Sequence, residues 1–316
     1  MISVDSKIYI AGHTGLIGSA LVRLLKSQGF KKLLLVKHDD LDLTDCLQTK
    51  KFFESTNPDY VVLAAGKVGG IVDNKYYPAD YINSNILIAS NVINCAHAVN
   101  VKKLIYFGSS CMYPRKCIQP MREDYLFSGI PERTSMAYAV AKMAGLQMCL
   151  AFNQQYSRKC FIPVIPNSVY GPNDNFDLES GHVLSALIRR LHLSKVRNEP
   201  SVMLWGSGLP KREFIHSDDI ANACLILLES ELENSELPIN IGFGSDISIK
   251  ELAKIIANVV GYNGKVNWDQ SKPDGSPRKL LDSSRMFQLQ WRPAIDLSTG
   301  IKNTYQWYLE NFKGEI

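Results

Sequence analysis

The chain has 316 residues, about two domains' length, or one large nucleotide-binding domain with a smaller companion. With 46% hydrophobic and 21% charged residues it is ordinary for a globular protein, which excludes disordered, collagen-like and disulfide-framework classes. A formal charge of +4 is small for this length, so no nucleic-acid partner is implied, although a local basic pocket for an anionic small molecule is not excluded. The seven cysteines (Cys46, Cys95, Cys111, Cys117, Cys149, Cys160, Cys224) form no CxxC pair, and their number is odd. They read as free thiols of a reducing cytoplasm. The opening MISVDSKIYIAG lacks the basic and long apolar regions of a signal peptide. No apolar run approaches the ~20 residues of a membrane span, so neither a membrane nor a secreted location is expected.

In chain order, residues 7–11 (KIYIA) read as a strand ending at Gly12, and 17–28 carry apolar residues at helical spacing with Gly29 as C-cap. Apolar runs at 32–36, 60–65, 103–107 and 161–165 read as strands buried on both faces, as in a parallel sheet covered by helices. This alternation predicts an α/β fold, a doubly wound parallel Rossmann sheet with a smaller α/β substrate domain. Beyond Pro166 the texture changes. Residues 168–180, rich in Asn, Asp, Gly and Pro, read as a long functional loop, followed by a helix over 183–193. A second helix over 217–228 is expected to be capped by Ser217, with Asp218 and Asp219 in its first turn. From Ile247 onward helices mix with a short basic segment, 274–282. The expected division is 1–167, with a return segment near 214–241, for a dinucleotide, and 168–213 with 242–316 for a substrate.

Gly12-His-Thr14-Gly15-Leu16-Ile17-Gly18 lies between the first strand and the first helix. In that context glycines permit the tight turn, the close approach of backbone to a pyrophosphate and the packing of helix on strand, while the helix N-terminus faces the phosphates. An acidic residue closing the second strand would bind a ribose 2′-hydroxyl, whereas a basic one suits a 2′-phosphate. Here Lys37 and His38 precede Asp39 and Asp40, which favours NADP(H) over NAD.

Tyr138 and Lys142, four apart, share one helix face, and Ser109 follows the strand at 103–107. A phenol acidified by a nearby cation can give a proton to a carbonyl oxygen while hydride reaches its carbon, and the serine hydroxyl can orient that oxygen. With the glycine loop this trio points to a dehydrogenase. A thiol protease or metal site built on Cys111 and His182 finds no support, because no third ligand stands at metal spacing and the cysteine lies in a dehydrogenase loop.

These features resemble the extended short-chain dehydrogenase/reductase family, within it the enzymes that act on GDP-4-keto sugars. The resemblance runs through nearly the whole chain. It is carried by AAGKVGGI at 64–71, GSSCMYP at 108–114, YAVAKMAG at 138–145, YGPNDNFD at 170–177, HVLSALIRR at 182–190, WGSGLPKREF at 205–214 and KPDGSPRKLLD at 272–282. It implies an NADPH-dependent 3,5-epimerisation and 4-reduction of GDP-4-keto-6-deoxy-D-mannose. In that reading Cys111 is the base and His182 the acid that invert two carbons, and Ser109, Tyr138 and Lys142 serve the reduction. It further implies that Asp42, Leu43, Ala64 and His182 join the glycine loop around the cofactor. Ser168, Arg190, Trp205, Arg212 and Lys279 are expected around the GDP-sugar, and a homodimer is expected through helices at 85–98 and 136–156. The chain departs from the family pattern at Ser135, Met136 and Ser168, near the expected sugar pocket. A related GDP-4-keto sugar, a dideoxyhexose or a 6-deoxyheptose, or plain C4 reduction therefore stands as the alternative. A 4-epimerase that retains its NAD has no use for a second acid/base pair, and a non-catalytic sensor has none for the trio.

Overall fold

The computed structural model describes residues 2–231, 236–272 and 274–312. Pro273, inside one of the resemblance blocks, lies outside them. The N-terminal part runs β1 (Lys7–Ala11), α1 (Leu16–Ser27), β2 (Lys32–Leu34), α2 (Cys46–Thr56), β3 (Tyr60–Leu63), α3 (Ile71–Tyr76), α4 (Pro78–Ala98), β4 (Lys103–Phe107), α5 (Met136–Gln155), β5 (Phe161–Pro166) and β6 (Ser168–Tyr170). There follow α6 (Val183–Val196), β7 (Ser201–Trp205), β8 (Lys211–Arg212), β9 (Phe214–His216), α7 (Ser217–Glu229) and β10 (Ile239–Ile241). The last part comprises β11 (Ile247–Ser248), α8 (Ile249–Val260), β12 (Lys265–Asp269), β13 (Arg278–Lys279), α9 (Ser284–Gln288) and α10 (Leu297–Asn311).

Six parallel strands form the main sheet in the order β10-β5-β4-β3-β1-β2. The order reverses at β1, which has β2 on one side and β3 on the other, and in such sheets ligands bind beyond the carboxyl ends of the strands at that reversal. Alternate residues of each strand feed opposite faces: Tyr9 and Ala11 join the core beneath α4 and α5, while Ile8 and Ile10 join the core beneath α1 and α7. A third core, which includes Ile188 and Leu191 of α6, Leu252 and Ile256 of α8 and Tyr308 of α10, lies apart from the sheet.

The expected strands are present, with β2 and β3 ending two residues early. The long loop begins with a short strand: β6 pairs in parallel with β9. The cap of α7 is His216, whose Nδ1 accepts from the Asp218 N–H at 3.2 Å, and Ser217 is already helical. Arg133–Gln155 is long and apolar enough by composition to cross a membrane, a stretch that run-counting overlooked. In the fold it is α5 and the turn before it, packed against α4, β4 and β5.

Between β8 and β9, the fully buried Glu213 accepts from Asn167 Nδ2 (2.7 Å), Gly244 N–H (2.6 Å) and Leu281 N–H (3.0 Å). Asn167 Nδ2 also reaches the Lys279 carbonyl at 3.2 Å, so one carboxyl group ties β5's end, β8 and β13 together. Glu213→Ala strands several buried donors, each worth about 1–3 kcal/mol. The expected loss is therefore about 3 kcal/mol or more in urea unfolding, and a loss under about 1 kcal/mol would show that the clamp is dispensable.

Candidate active site

The loop from β1 into α1 turns at Gly12 (φ +81°), and a Cβ there would meet the Ala65 backbone nitrogen at 2.8 Å, so the ends of β1 and β3 touch. A Cβ on Gly18 would lie 2.1 Å from the Gly12 oxygen, which packing of helix on loop forbids. Gly15 is different. A Cβ there would make only an ordinary 3.5 Å contact with Gly12 O, so nothing within the chain demands glycine. Gly15 and Thr14 are exposed, Leu16 and Ile17 half-buried, and α1 starts with no side-chain cap and no acidic residue in its first turn. Uncapped N–H groups behind an exposed glycine fit a pyrophosphate brought close to backbone.

Lys37 and His38, just after β2, are exposed, and the Lys37 charge reaches the loop: after burial it is the next cause holding His13 below its usual range. Asp42 is engaged locally, accepting from the Thr44 N–H (2.9 Å) and hydroxyl (2.8 Å), which keep its carboxyl below the usual range. Leu43 is buried, with its carbonyl accepting from Asn91 Nδ2 at 2.9 Å. Ala64 donates its N–H to Ala11 O at 3.0 Å, at the floor of the same crevice.

One strand further, β4 ends at Phe107 and the chain enters a single 3₁₀ turn, Ser110–Met112. Ser109 caps it, its Oγ accepting from the Cys111 N–H at 3.2 Å. This turn sets Ser109 and Cys111 beside the start of α5, from which Tyr138 and Lys142 reach in, both buried. The Lys142 ammonium donates to Phe107 O at 3.0 Å and stands 5.9 Å from the Tyr138 ring centre. Burial lowers Lys142 to about 8. The expectation that a cation acidifies the phenol is not met here. Burial first, then Cys111, drives the Tyr138 phenol well above its usual range, against a weaker downward pull from the neighbouring Ser109 hydroxyl. Lys142 is committed to a backbone carbonyl, and Tyr138 is a protonated phenol at neutral pH.

Cys111 and His182 are driven the other way. Burial raises the thiol, but Lys279, whose Nζ donates to Sγ at 3.4 Å, the Ser109 hydrogen bond and the charge of His182 outweigh it, so Cys111 lies below the usual thiol range. For His182, loss of solvent lowers the imidazole, but Asp174, 3.1 Å from Nδ1, and Cys111 lift it above its usual range. The two groups sense each other's charge and are drawn toward a thiolate–imidazolium pair. His182 caps α6 by position, and its ring, 44% exposed, remains open to the cleft.

Arg212 of β8 also feels Cys111; burial lowers its guanidinium while Cys111 and Asp274 pull it up. Arg190 stands 5.8 Å and Lys272 5.7 Å from the Trp205 ring centre, and Trp205 is 47% exposed, a flat face flanked by cations. Ser168, at the start of β6, is half-buried. Among the named residues the structure therefore joins Ser109, Cys111, Tyr138, Lys142, His182, Arg212 and Lys279 in one cluster, with Arg190 and Trp205 forming a separate cationic–aromatic pair. Sequence reasoning missed Asp174, Glu213 and the contact of Lys279 with sulfur. Asp174 sits in an irregular loop eight residues before His182, where no periodicity flags a pair.

The family model described as NAD dependent epimerase/dehydratase family matches residues 8–242. A GDP-L-fucose synthase of Escherichia coli is 48% identical over 312 residues, covering 96% of this chain and 97% of that protein. Among solved structures, a GDP-6-OMe-4-keto-L-xylo-heptose reductase from C. jejuni superposes with a TM-score of 0.91 at 37% identity, covering 98% and 99% of the two chains. A GDP-L-fucose synthetase from Naegleria fowleri bound to NADP gives 0.90 at 30% identity, covering 99% and 96%.

The Lys279–Cys111 contact makes a testable statement about pH. Removing the ammonium in Lys279→Met leaves burial unopposed by its largest counterweight, so the midpoint of Cys111 alkylation by iodoacetamide, followed by peptide mapping, should move to higher pH. An unmoved midpoint would mean that the lysine does not hold the thiolate.

Proposed function

The chain belongs to the NAD-dependent epimerase/dehydratase family, one of the extended short-chain dehydrogenase/reductases, and from that premise we propose that it converts GDP-4-keto-6-deoxy-D-mannose to GDP-L-fucose. The observation that carries this reading is a second acid/base pair, Cys111 and His182, biased toward thiolate and imidazolium beside a separate Ser109–Tyr138–Lys142 trio. A plain 4-reductase needs only the trio.

The C4 ketone acidifies the protons on C3 and C5. In the proposed mechanism the Cys111 thiolate removes a carbon-bound proton, and His182 delivers one to the opposite face, so the centre inverts. Charge that builds on the ketone oxygen during each removal is stabilised by hydrogen bonds from Ser109 and Tyr138. Gly12–Gly18, with Lys37 and His38 after β2, would hold NADPH, which when bound would supply the hydride for C4. Tyr138, kept protonated by its burial, gives its proton to the C4 oxygen, with the Ser109 hydroxyl as the neighbouring group that favours the phenolate left behind. Arg190, Trp205, Arg212 and Lys279 hold the GDP portion, guanidinium forks suiting the diphosphate. Lys279 thereby serves two neighbours, a phosphate and a thiolate. Residues 1–167 with the return near 214–241 form the cofactor part, and 168–213 with 242–316 the sugar part. Seven unpaired thiols support a cytoplasmic location.

Ser135, Met136 and Ser168 favour a second reading, the same chemistry or reduction alone on a related GDP-4-keto sugar, because all three depart from the family pattern near the sugar.

Substitution separates the two half-reactions. Cys111→Ser replaces the thiol by an alcohol too weakly acidic to serve near neutral pH, so deuterium uptake at C3 and C5 should fall about 10²–10⁴-fold. Reduction should continue and yield GDP-rhamnose. Tyr138→Phe should instead slow C4 reduction by about 10²–10⁴-fold and leave dinucleotide affinity nearly unchanged. Equal effects of the two variants on both steps would defeat the division of roles.

The assembly follows from α4 and α5. Only 39% of α5's most apolar 18-residue window is buried within one chain, and Ile86, Val140 and Tyr156 remain exposed along this helix pair. A homodimer that packs the pair as a four-helix bundle covers this surface. Light scattering at micromolar concentration should give about twice 35.4 kDa, and a monomer mass would contradict it.

A further inference from the structure

We propose that Asp174 is the positioning residue of His182, fixing which ring nitrogen faces the substrate. The inference rests on the acid role given to His182 above. Asp174 is buried, its side chain 2% exposed, in the loop between β6 and α6. Oδ1 receives the Asn175 N–H at 2.8 Å and lies 3.1 Å from His182 Nδ1, and Oδ2 receives the Ser185 hydroxyl at 2.5 Å. An ionised carboxylate only accepts, so Nδ1 must carry the proton in this arrangement. Nε2 then holds the lone pair of the neutral ring and the mobile proton of the imidazolium. That is the nitrogen left free to serve a carbon centre in the cleft.

The carboxylate is itself held against rotation. Asn175 and Ser185 bind its two oxygens from the loop and from the first turn of α6, and α6 has no acidic residue of its own in that turn. The charged groups that face the ring are Asp174 from the loop and Cys111 from the turn after β4, with Lys279 of β13 and Arg212 of β8 standing around the sulfur. Asp174 is thus the buried anion in direct contact with His182, and it favours the imidazolium that epimerisation consumes and regenerates.

The test uses Asp174→Asn in the full-length protein. Nitrogen-15 NMR of the imidazole, in the absence of substrate and cofactor, should show the Nδ1–H tautomer in the wild type. In the variant the carboxamide can offer its own N–H to Nδ1, so the neutral ring should move to Nε2–H and titrate at lower pH. Solvent deuterium exchange into the sugar should lose about 10²-fold or more in kcat, with KM for the GDP-sugar changed by less than about 3-fold, since an orienting carboxylate acts through the tautomer of its histidine. The limb of the pH–rate profile carried by His182 should shift to lower pH, and the Cys111 limb should move less. Ser185→Ala, which removes one anchor of the carboxylate, should move the same readouts in the same direction by a smaller amount if Asp174→Asn fails to fold. An Nε2–H tautomer in the wild type, or a His182 titration unchanged in both variants, overturns the proposal. Absence of carbon-bound exchange in the wild type overturns the functional reading instead, and the NMR result still decides Asp174.

Discussion

Lys279 reaches the Cys111 sulfur from a strand of two residues that lies 168 positions further along the chain. Nothing local fixes that ammonium in place. Asn167 and Glu213 bind the backbone on its C-terminal side, at the Lys279 carbonyl and the Leu281 N–H, and Arg278 pairs with Asp246 on its N-terminal side. The sulfur, for its part, is placed by a tight turn capped by Ser109 at the carboxyl end of a central strand. Burial pushes the thiol up, and the cation is the largest of the influences, with the Ser109 hydrogen bond and the charge of His182, that bring it below the usual thiol range. The groups around the Cys111 sulfur therefore come from both halves of the chain, and the buried Glu213 ties the segments that carry them.

Around that contact the protein sorts four titratable groups by environment. Tyr138 and Lys142 lie deep and largely without counter-charges, so burial keeps the phenol protonated and makes the ammonium readier to lose its proton. Cys111 and His182 stand nearer the mouth among opposite charges, where the thiol is pulled down and the imidazole pulled up. Groups whose environments push them apart can take distinct acid and base roles at one pH. One pair is suited to carbon-bound protons and the other to the oxygen that hydride transfer leaves charged. At Gly15 the chain's own packing tolerates a side chain, so the glycine there is not explained by contacts within the protein.

Much of this was legible in the sequence, for physical reasons. The strands at Lys7–Ala11 and Lys103–Phe107 are apolar and buried after their first lysine because both faces of the sheet are covered, and their limits coincide with the observed ones. Glycines at 12 and 18 report backbone contacts that no other residue permits. Tyr138 and Lys142 follow helical spacing. What stayed hidden depends on tertiary partners. Asp174 and His182 meet across an irregular loop, Glu213 finds its donors from three distant segments, and His216 rather than Ser217 caps its helix because the histidine ring folds back onto the first turn. The raised phenol of Tyr138 likewise follows from burial and from Cys111 nearby, neither of which spacing reveals.

In the proposed reaction the same group of residues moves carbon-bound protons and serves hydride transfer on one sugar. Wild-type protein incubated in deuterated water with GDP-4-keto-6-deoxy-D-mannose and unlabelled NADPH, and in a parallel reaction in ordinary water with NADPH deuterated at the transferred position, gives a direct reading by NMR of the product sugar. The expected result is solvent deuterium at both C3 and C5 in the first reaction, cofactor deuterium at C4 alone in the second, and the L-fuco configuration in both. Cofactor label at C4 with solvent label at neither C3 nor C5 would mark a plain 4-reductase and contradict it.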